Sequence, residues 1–268
     1  MSPTLIEFDP RELSRPADRR RFLSAMAMAA GATTLAPMIL RGRAGGSELH
    51  AQRGGVCKSP ALTGWAEREA LTDTQILNFA LVLEYLESTF YIRADNRGPL
   101  PGGATIASID PDGGGLPGSV PGLYTVRPTL PARFQVDDNV RVVRNHEIAH
   151  VQFLQNALGG AAVKRNDFAF SFPAAFNDAQ TFLSVSQTLE DVGVTAYLGQ
   201  VGNINNAGFL AAAGSIAGVE AEHAAMFRYI RSEFITPNNE AFDTRKDSAQ
   251  VLAAAGGFIT QQPMPLLG

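Results

Sequence analysis

Two glutamate–histidine pairs, Glu147/His150 and Glu220/His223, constrain this chain more than any other feature. Each lies in a long run with helical apolar spacing, and residues three apart on a helix share a face. Around the first pair the stripe is Val140, Val143, Glu147, His150 and Leu154. Around the second it is Ala213, Ile216, Glu220, His223, Phe227 and Ile230. Carboxylates and imidazoles therefore sit in otherwise apolar seams, where a helix turns toward its core. One such pair is usually a solvated helix face. Two of them, using two of only four histidines, point to a shared interior site.

The rest of the chain supplies partners for these helices. A run from Thr74 to Ala94 contains neither Gly nor Pro, has Thr72 or Asp73 as N-cap, and carries the stripe Ile76, Phe79, Leu83, Leu86 and Phe90. The first pair-bearing helix is expected from Asp137 to Leu158, capped by Asp137 or Asp138 and stopped by Gly159-Gly160. Another helix is expected from Ala174 to Leu198, ending at Gly199, and the second pair-bearing helix from Phe209 to Phe234. Between the first two helices, Asp95–Pro131 is dense in Gly and Pro. It reads as one long irregular connection, either a functional cover or a short sheet-like excursion. A tail over 235–268 has a short helix at Asp247–Ala255. The fold class is all-α, a four-helix bundle with a long irregular loop between its first two helices.

The two remaining long helices each offer a glutamate at matching depth. Glu190 lies on a stripe with Leu183, Val194 and Tyr197; Glu84 and Glu87 both fit a stripe with Leu77, Ala80 and Tyr91. Glu84 is the stronger candidate, because Tyr91 lies two turns along on its face, while Glu87 stays open as a replacement or an added carboxylate. Tyr85, Tyr91 and Tyr197 are expected mainly to pack. Four carboxylates inside a bundle repel and are poorly solvated, so they need protons or cations. Two divalent ions balance four negative charges, and mixed carboxylate–imidazole ligation suits iron or manganese, with zinc open. The single cysteine, Cys57, excludes a cysteine-rich zinc site and an internal disulfide framework. His146, one position off the stripe of Glu147, is expected at the surface or behind a ligand, as are Asp191 and Glu222.

The order Glu, Glu-x-x-His, Glu, Glu-x-x-His is that of the ferritin-like dinuclear carboxylate proteins. The wording is closer still. Asn78-Phe79-Ala80-Leu81-Val82-Leu83-Glu84-Tyr85-Leu86-Glu87, Leu189-Glu190-Asp191-Val192-Gly193-Val194-Thr195-Ala196-Tyr197 and Val219-Glu220-Ala221-Glu222-His223-Ala224-Ala225 resemble the exported ferritin-like domain family that includes desiccation-related proteins. The resemblance covers roughly residues 71–234. It implies a ferritin-like bundle whose metal ligands are Glu84, Glu147, His150, Glu190, Glu220 and His223, holding two Fe ions or, alternatively, two Mn ions. It also implies small-molecule partners (O2, peroxide, Fe(II)) and ferroxidase-, peroxidase- or catalase-like activity. A non-enzymatic stress or envelope scaffold with a structural or vestigial metal site is the alternative. The long loop argues against a 24-subunit storage cage.

Ahead of the bundle, Arg19-Arg20 precedes a mildly apolar stretch from Phe22 to Leu40, the pattern of a twin-arginine export signal. Residues 1–44 are expected to be that signal, cleaved after Ala44, and residues 45–70 a linker containing His50, Cys57 and Trp65. Pro37 and the threonines make the stretch a poor membrane span, so no stable insertion is expected after cleavage, and the destination is the periplasm or beyond. Cleavage removes seven of 22 basic and four of 26 acidic residues, leaving 15 against 22 and a net charge of −7. Such a surface excludes nucleic acid as the main partner.

Overall fold

A computed structural model describes residues 71–113, 120–126 and 135–263. The expected export signal and the linker with His50, Cys57 and Trp65 lie outside these residues. Four long helices build the core: α1 (Asp73–Ala94), α3 (Val136–Leu158), α4 (Ala179–Gln200) and α5 (Ala207–Ile230). A single turn, α2 (Ile106–Ile109), precedes α3, and α6 (Ser248–Ala255) follows the bundle. A two-stranded antiparallel ribbon joins β1 (Ala169–Phe170) to β2 (Ile259–Gln261). The chain is mostly helical, as the apolar spacing requires. α1 packs along α3, and α4 along α5, so the bundle is two hairpins face to face. No described helix is long and apolar enough to cross a membrane.

Local chemistry sets the boundaries, and several differ from the sequence expectation. α1 starts as expected, with Thr72 and Gln75 forming a reciprocal capping box. α3 is capped by Gln135 without a side-chain bond, and Asp137 and Asp138 fall in its first turn, where negative charge suits the helix dipole. α4 begins at Ala179, not Ala174, because Asp178 accepts a bond from the Thr181 amide at 2.9 Å while Ala174 is left-handed (φ 61°). α5 runs from Ala207 to Ile230, shorter at its end than expected, and Ser232 beyond it is left-handed (φ 65°). α4 does not stop at Gly199. That glycine admits the tail: a Cβ there would stand 1.9 Å from the Lys246 carbonyl oxygen, whose own amide bonds the Thr195 carbonyl at 3.1 Å.

α1 is buried on all sides, where an amphipathic stripe was expected. Two coverings explain this. The connection after α1 folds back so that Ile109 packs with Ile92 and Ile148, and Arg93 makes a two-point ion pair with Asp110 at 2.6 and 2.7 Å. Arg144 of α3, fully buried, holds the start of this connection by donating to the carbonyls of Asp95 and Arg97, both at 2.8 Å. The described parts of the connection contain helical turns and no strand, and they lie over α1 as a cover. The second covering is the segment after α3. Tyr85 donates to the Val163 carbonyl at 3.0 Å, and Arg165 lies over the Phe170 ring, 4.5 Å from its centroid. Phe90, Phe172, Phe176 and Phe182 fill one end of the bundle beside Tyr91.

Candidate metal centre

The bundle brings all six candidate side chains to one buried point. They come from the middle of four helices, where the backbone is fully paired and side-chain direction is fixed by packing. Nδ1 of His150 lies 3.2 Å from Glu84 Oε2, from Glu147 Oε2 and from Glu220 Oε1. Nδ1 of His223 lies 3.0 Å from Glu190 Oε2 and 3.1 Å from Glu147 Oε1. Two sets of donors result: Glu84, Glu147, His150 and Glu220, and Glu147, Glu190, Glu220 and His223. Glu147 and Glu220 belong to both. Glu147 divides its two oxygens between the two histidines, the disposition of a bridging carboxylate.

The four glutamates are fully buried, and the two imidazoles keep a narrow solvent edge of 12% for His150 and 7% for His223. That edge lies on the side of α3 and α5 where His146, Ala149, Ala221 and Glu222 are exposed. Burial raises the Glu84 carboxyl to about 7, against the pull of His150 and Tyr197. Burial and the charges of Glu147 and Glu190 push Glu220 well above the ordinary range. Glu147 goes the other way: burial opposes its ionisation, but the two imidazoles beside it outweigh burial and hold it low. Burial disfavours charge on both histidines too, and the carboxylates reverse it, raising His150 strongly and His223 to about 11. Without metal the cluster is thus an internal ion network in which imidazolium supplies the positive charge.

That network leaves an unmet demand. Glu220 Oε2 is buried with no partner, and Glu147 Oε1 and Glu220 Oε1 meet only the imidazoles of His223 and His150, in ion-pair contacts without hydrogen-bond geometry. Poorly satisfied buried acceptors are costly, and these three sit on the two carboxylates common to both donor sets. Cations between the sets satisfy all three, so the residues present fit a pair of metal ions.

Residues around the six divide into expected and unexpected contributors. Tyr91 and Tyr197, expected to pack, each donate a hydrogen bond across the bundle: Tyr91 to Glu190 Oε1, and Tyr197 to Glu84 Oε1 at 2.5 Å. The signal for this was present in the equal spacing of Glu84 to Tyr91 and Glu190 to Tyr197, seven residues each. His146 is exposed, yet its Nδ1 lies 2.9 Å from Nε2 of His223, with the rings stacked. It stands behind a candidate ligand, outside both donor sets. Asp191 pairs with Arg228 of α5, and Glu222 is exposed. Glu87 is buried beside the cluster, its carboxyl raised by burial and by the four neighbouring glutamates.

A family model described as a ferritin-like domain matches residues 72–233, the span that contains all four long helices. No curated protein matches the chain.

Proposed function

The chain belongs to the ferritin-like domain family, and from that premise we propose that its buried cluster is a dinuclear iron or manganese centre that reacts with oxygen or peroxide, or oxidises Fe(II). The observation that carries this reading is the pair of overlapping buried donor sets, whose shared carboxylates Glu147 and Glu220 keep three oxygens outside any hydrogen bond, Glu220 Oε2 without even an ion-pair partner. Glu84, Glu147, His150 and Glu220 hold one ion; Glu147, Glu190, Glu220 and His223 hold the other. When bound, such a pair supplies electrons to an oxidant with an O–O bond.

The protein's own groups prepare the site for that role. The tyrosine hydroxyls fix the outer carboxylates, Glu84 and Glu190, each with one oxygen left to face its histidine. His146 Nδ1 lies within hydrogen-bond distance of His223 Nε2, and in the tautomer where His223 donates from Nε2 its Nδ1 lone pair is left for an ion. The surrounding helices present Leu83, Val143, Ile216 and Phe227 as buried walls. The hydrogen-bonding neighbours of the six are tyrosines and a histidine, not the guanidinium or ammonium groups that would clamp a phosphate ester. A small, uncharged oxidant suits this enclosure better than a hydrolysable polymer.

The test is anaerobic loading with Fe(II), which should give close to two ions per chain, followed by stopped-flow mixing with oxygen and with peroxide. Consumption of Fe(II) is the expected result. Turnover of peroxide alone by the Mn(II) form moves the assignment to catalase chemistry. Inertness toward both oxidants, with metal bound, leaves a scaffold in which the metal is structural.

We also infer that the protein is exported and belongs with the desiccation-related branch of the family, supported by Arg19-Arg20 and by the three helix segments quoted above. Changing Arg19 and Arg20 to lysine should hold the precursor in the cytoplasm, and normal export of that variant would reject the twin-arginine route.

A further inference from the structure

We propose that Glu87 is a fifth carboxylate of the metal centre, given its place there by the absent side chain of Gly193. The inference rests on the dinuclear reading above. α1 and α4 repeat one pattern, with Glu84 and Tyr91 on the first and Glu190 and Tyr197 on the second. One turn beyond each glutamate, on the same face, the repetition breaks: α1 has Glu87 where α4 has Gly193.

The break is spatially complementary. A Cβ built on Gly193 would stand 3.3 Å from Glu87 Oε1 and 3.1 Å from Glu220 Oε2. Both contacts are tighter than a side chain comfortably accepts, so the bare backbone of Gly193 makes the space in which the two carboxylates converge. Glycine inside a helix works against the helix, and α4 carries it here, in the turn after its own candidate ligand. Glu220 Oε2, the oxygen nearest Gly193, is buried with no partner, while Oε1 faces His150. Glu87 is 2% exposed. Two carboxylates that border one buried space need a proton or a cation beside them, and the neighbouring donor sets offer the place for a cation.

The charge balance gives the consequence for metal choice. Four carboxylates neutralise two divalent ions, and a fifth leaves one negative charge over. The centre therefore favours ions that reach the trivalent state, iron and manganese, over zinc, which does not.

The experiment compares wild type, Glu87→Gln and Gly193→Ala, with Glu222→Gln as a surface control, by equilibrium binding of Mn(II) to the metal-free protein. Glu87→Gln should weaken binding of the pair by at least about tenfold, and Gly193→Ala, whose methyl enters the same space, should shift it less in the same direction. Glu222→Gln should not change it. In competition, Glu87→Gln should also lose preference for Fe(III) over Zn(II). Wild-type Mn(II) affinity in Glu87→Gln, with two ions still bound by the wild type, overturns the fifth carboxylate and leaves the dinuclear reading standing. Should Glu87→Gln not fold, unchanged affinity in folded Gly193→Ala overturns it equally. No Mn(II) binding by the wild type overturns both.

Discussion

Loading the metal-free protein with Mn(II) or Fe(II) will raise its melting temperature, and the gain will be larger at pH 8 than at pH 6. The sign follows from the proton inventory of the cluster. Glu84 is raised from 4.5 to about 7 and His223 from 6.5 to about 11. A group whose folded pKa is raised gives stability that is complete below its unfolded value and fades as pH climbs through the folded one. Metal-free protein therefore loses the Glu84 contribution between about pH 4.5 and 7, and the His223 contribution between about 6.5 and 11. Metal displaces the same protons, so its binding releases them and tightens with pH. With metal at about 1,000 times its dissociation constant, linkage gives about 4 kcal/mol. For a folded unit of this size that is about 10 °C in melting temperature. Calorimetry in buffers of different ionisation enthalpy measures the release directly. Proton uptake, or a melting temperature indifferent to metal at both pH values, would overturn the scheme.

The second large effect separates shared from unshared ligands. Glu147 faces both histidines through different oxygens, whereas Glu190 belongs to one donor set. Glu147→Gln should abolish binding of both ions, and Glu190→Gln or His150→Ala should remove one. His146→Ala should keep both and weaken them by about 10-fold, as expected for a group that acts through another ligand. In the metal-free state Glu147→Gln should also cost about 1–3 kcal/mol, because it takes one carboxylate from both buried imidazolium charges while Glu84, Glu220 and Glu190 still face them. Metal content by mass spectrometry under native conditions, with unfolding followed in parallel, distinguishes lost ligation from lost folding. Equal metal loss in the His146, His150 and His223 alanine variants would contradict the helix phase on which both donor sets depend.

The all-α bundle and the shared faces of the six candidate side chains were legible in the sequence, whereas the helix ends and the covering of α1 were not. The six converging side chains could be read because helical period ties position to face, and a polar residue on an apolar stripe is conspicuous. Helix ends were harder. At α4, Pro173 and Ala174 look like a start, but Asp178 holds the cap that decides it. Gly199 looks like a stop, yet its role is to let Lys246 approach, a contact between residues 47 apart that no local pattern encodes. The complete burial of α1 was hidden for the same reason, since the groups covering it come from segments dominated by Gly, Pro and isolated aromatics. His146 was placed correctly outside the stripe, but its bond to His223 crosses between helices, and only the packed bundle reveals it.

The crossed tyrosine bonds make the bundle an interlock. The α1–α3 hairpin contains Glu84, Tyr91, Glu147 and His150; the α4–α5 hairpin contains Glu190, Tyr197, Glu220 and His223. Tyr91 serves Glu190, Tyr197 serves Glu84, His150 faces Glu220 and His223 faces Glu147. Each hairpin pairs some of its buried groups internally but not all of them, so each is incomplete until the other arrives. A slip of one helical turn between them, about 5.4 Å, would break every one of these crossings together. The site thus acts as a gauge of register, closing only when the two halves meet in the single alignment that their helices allow.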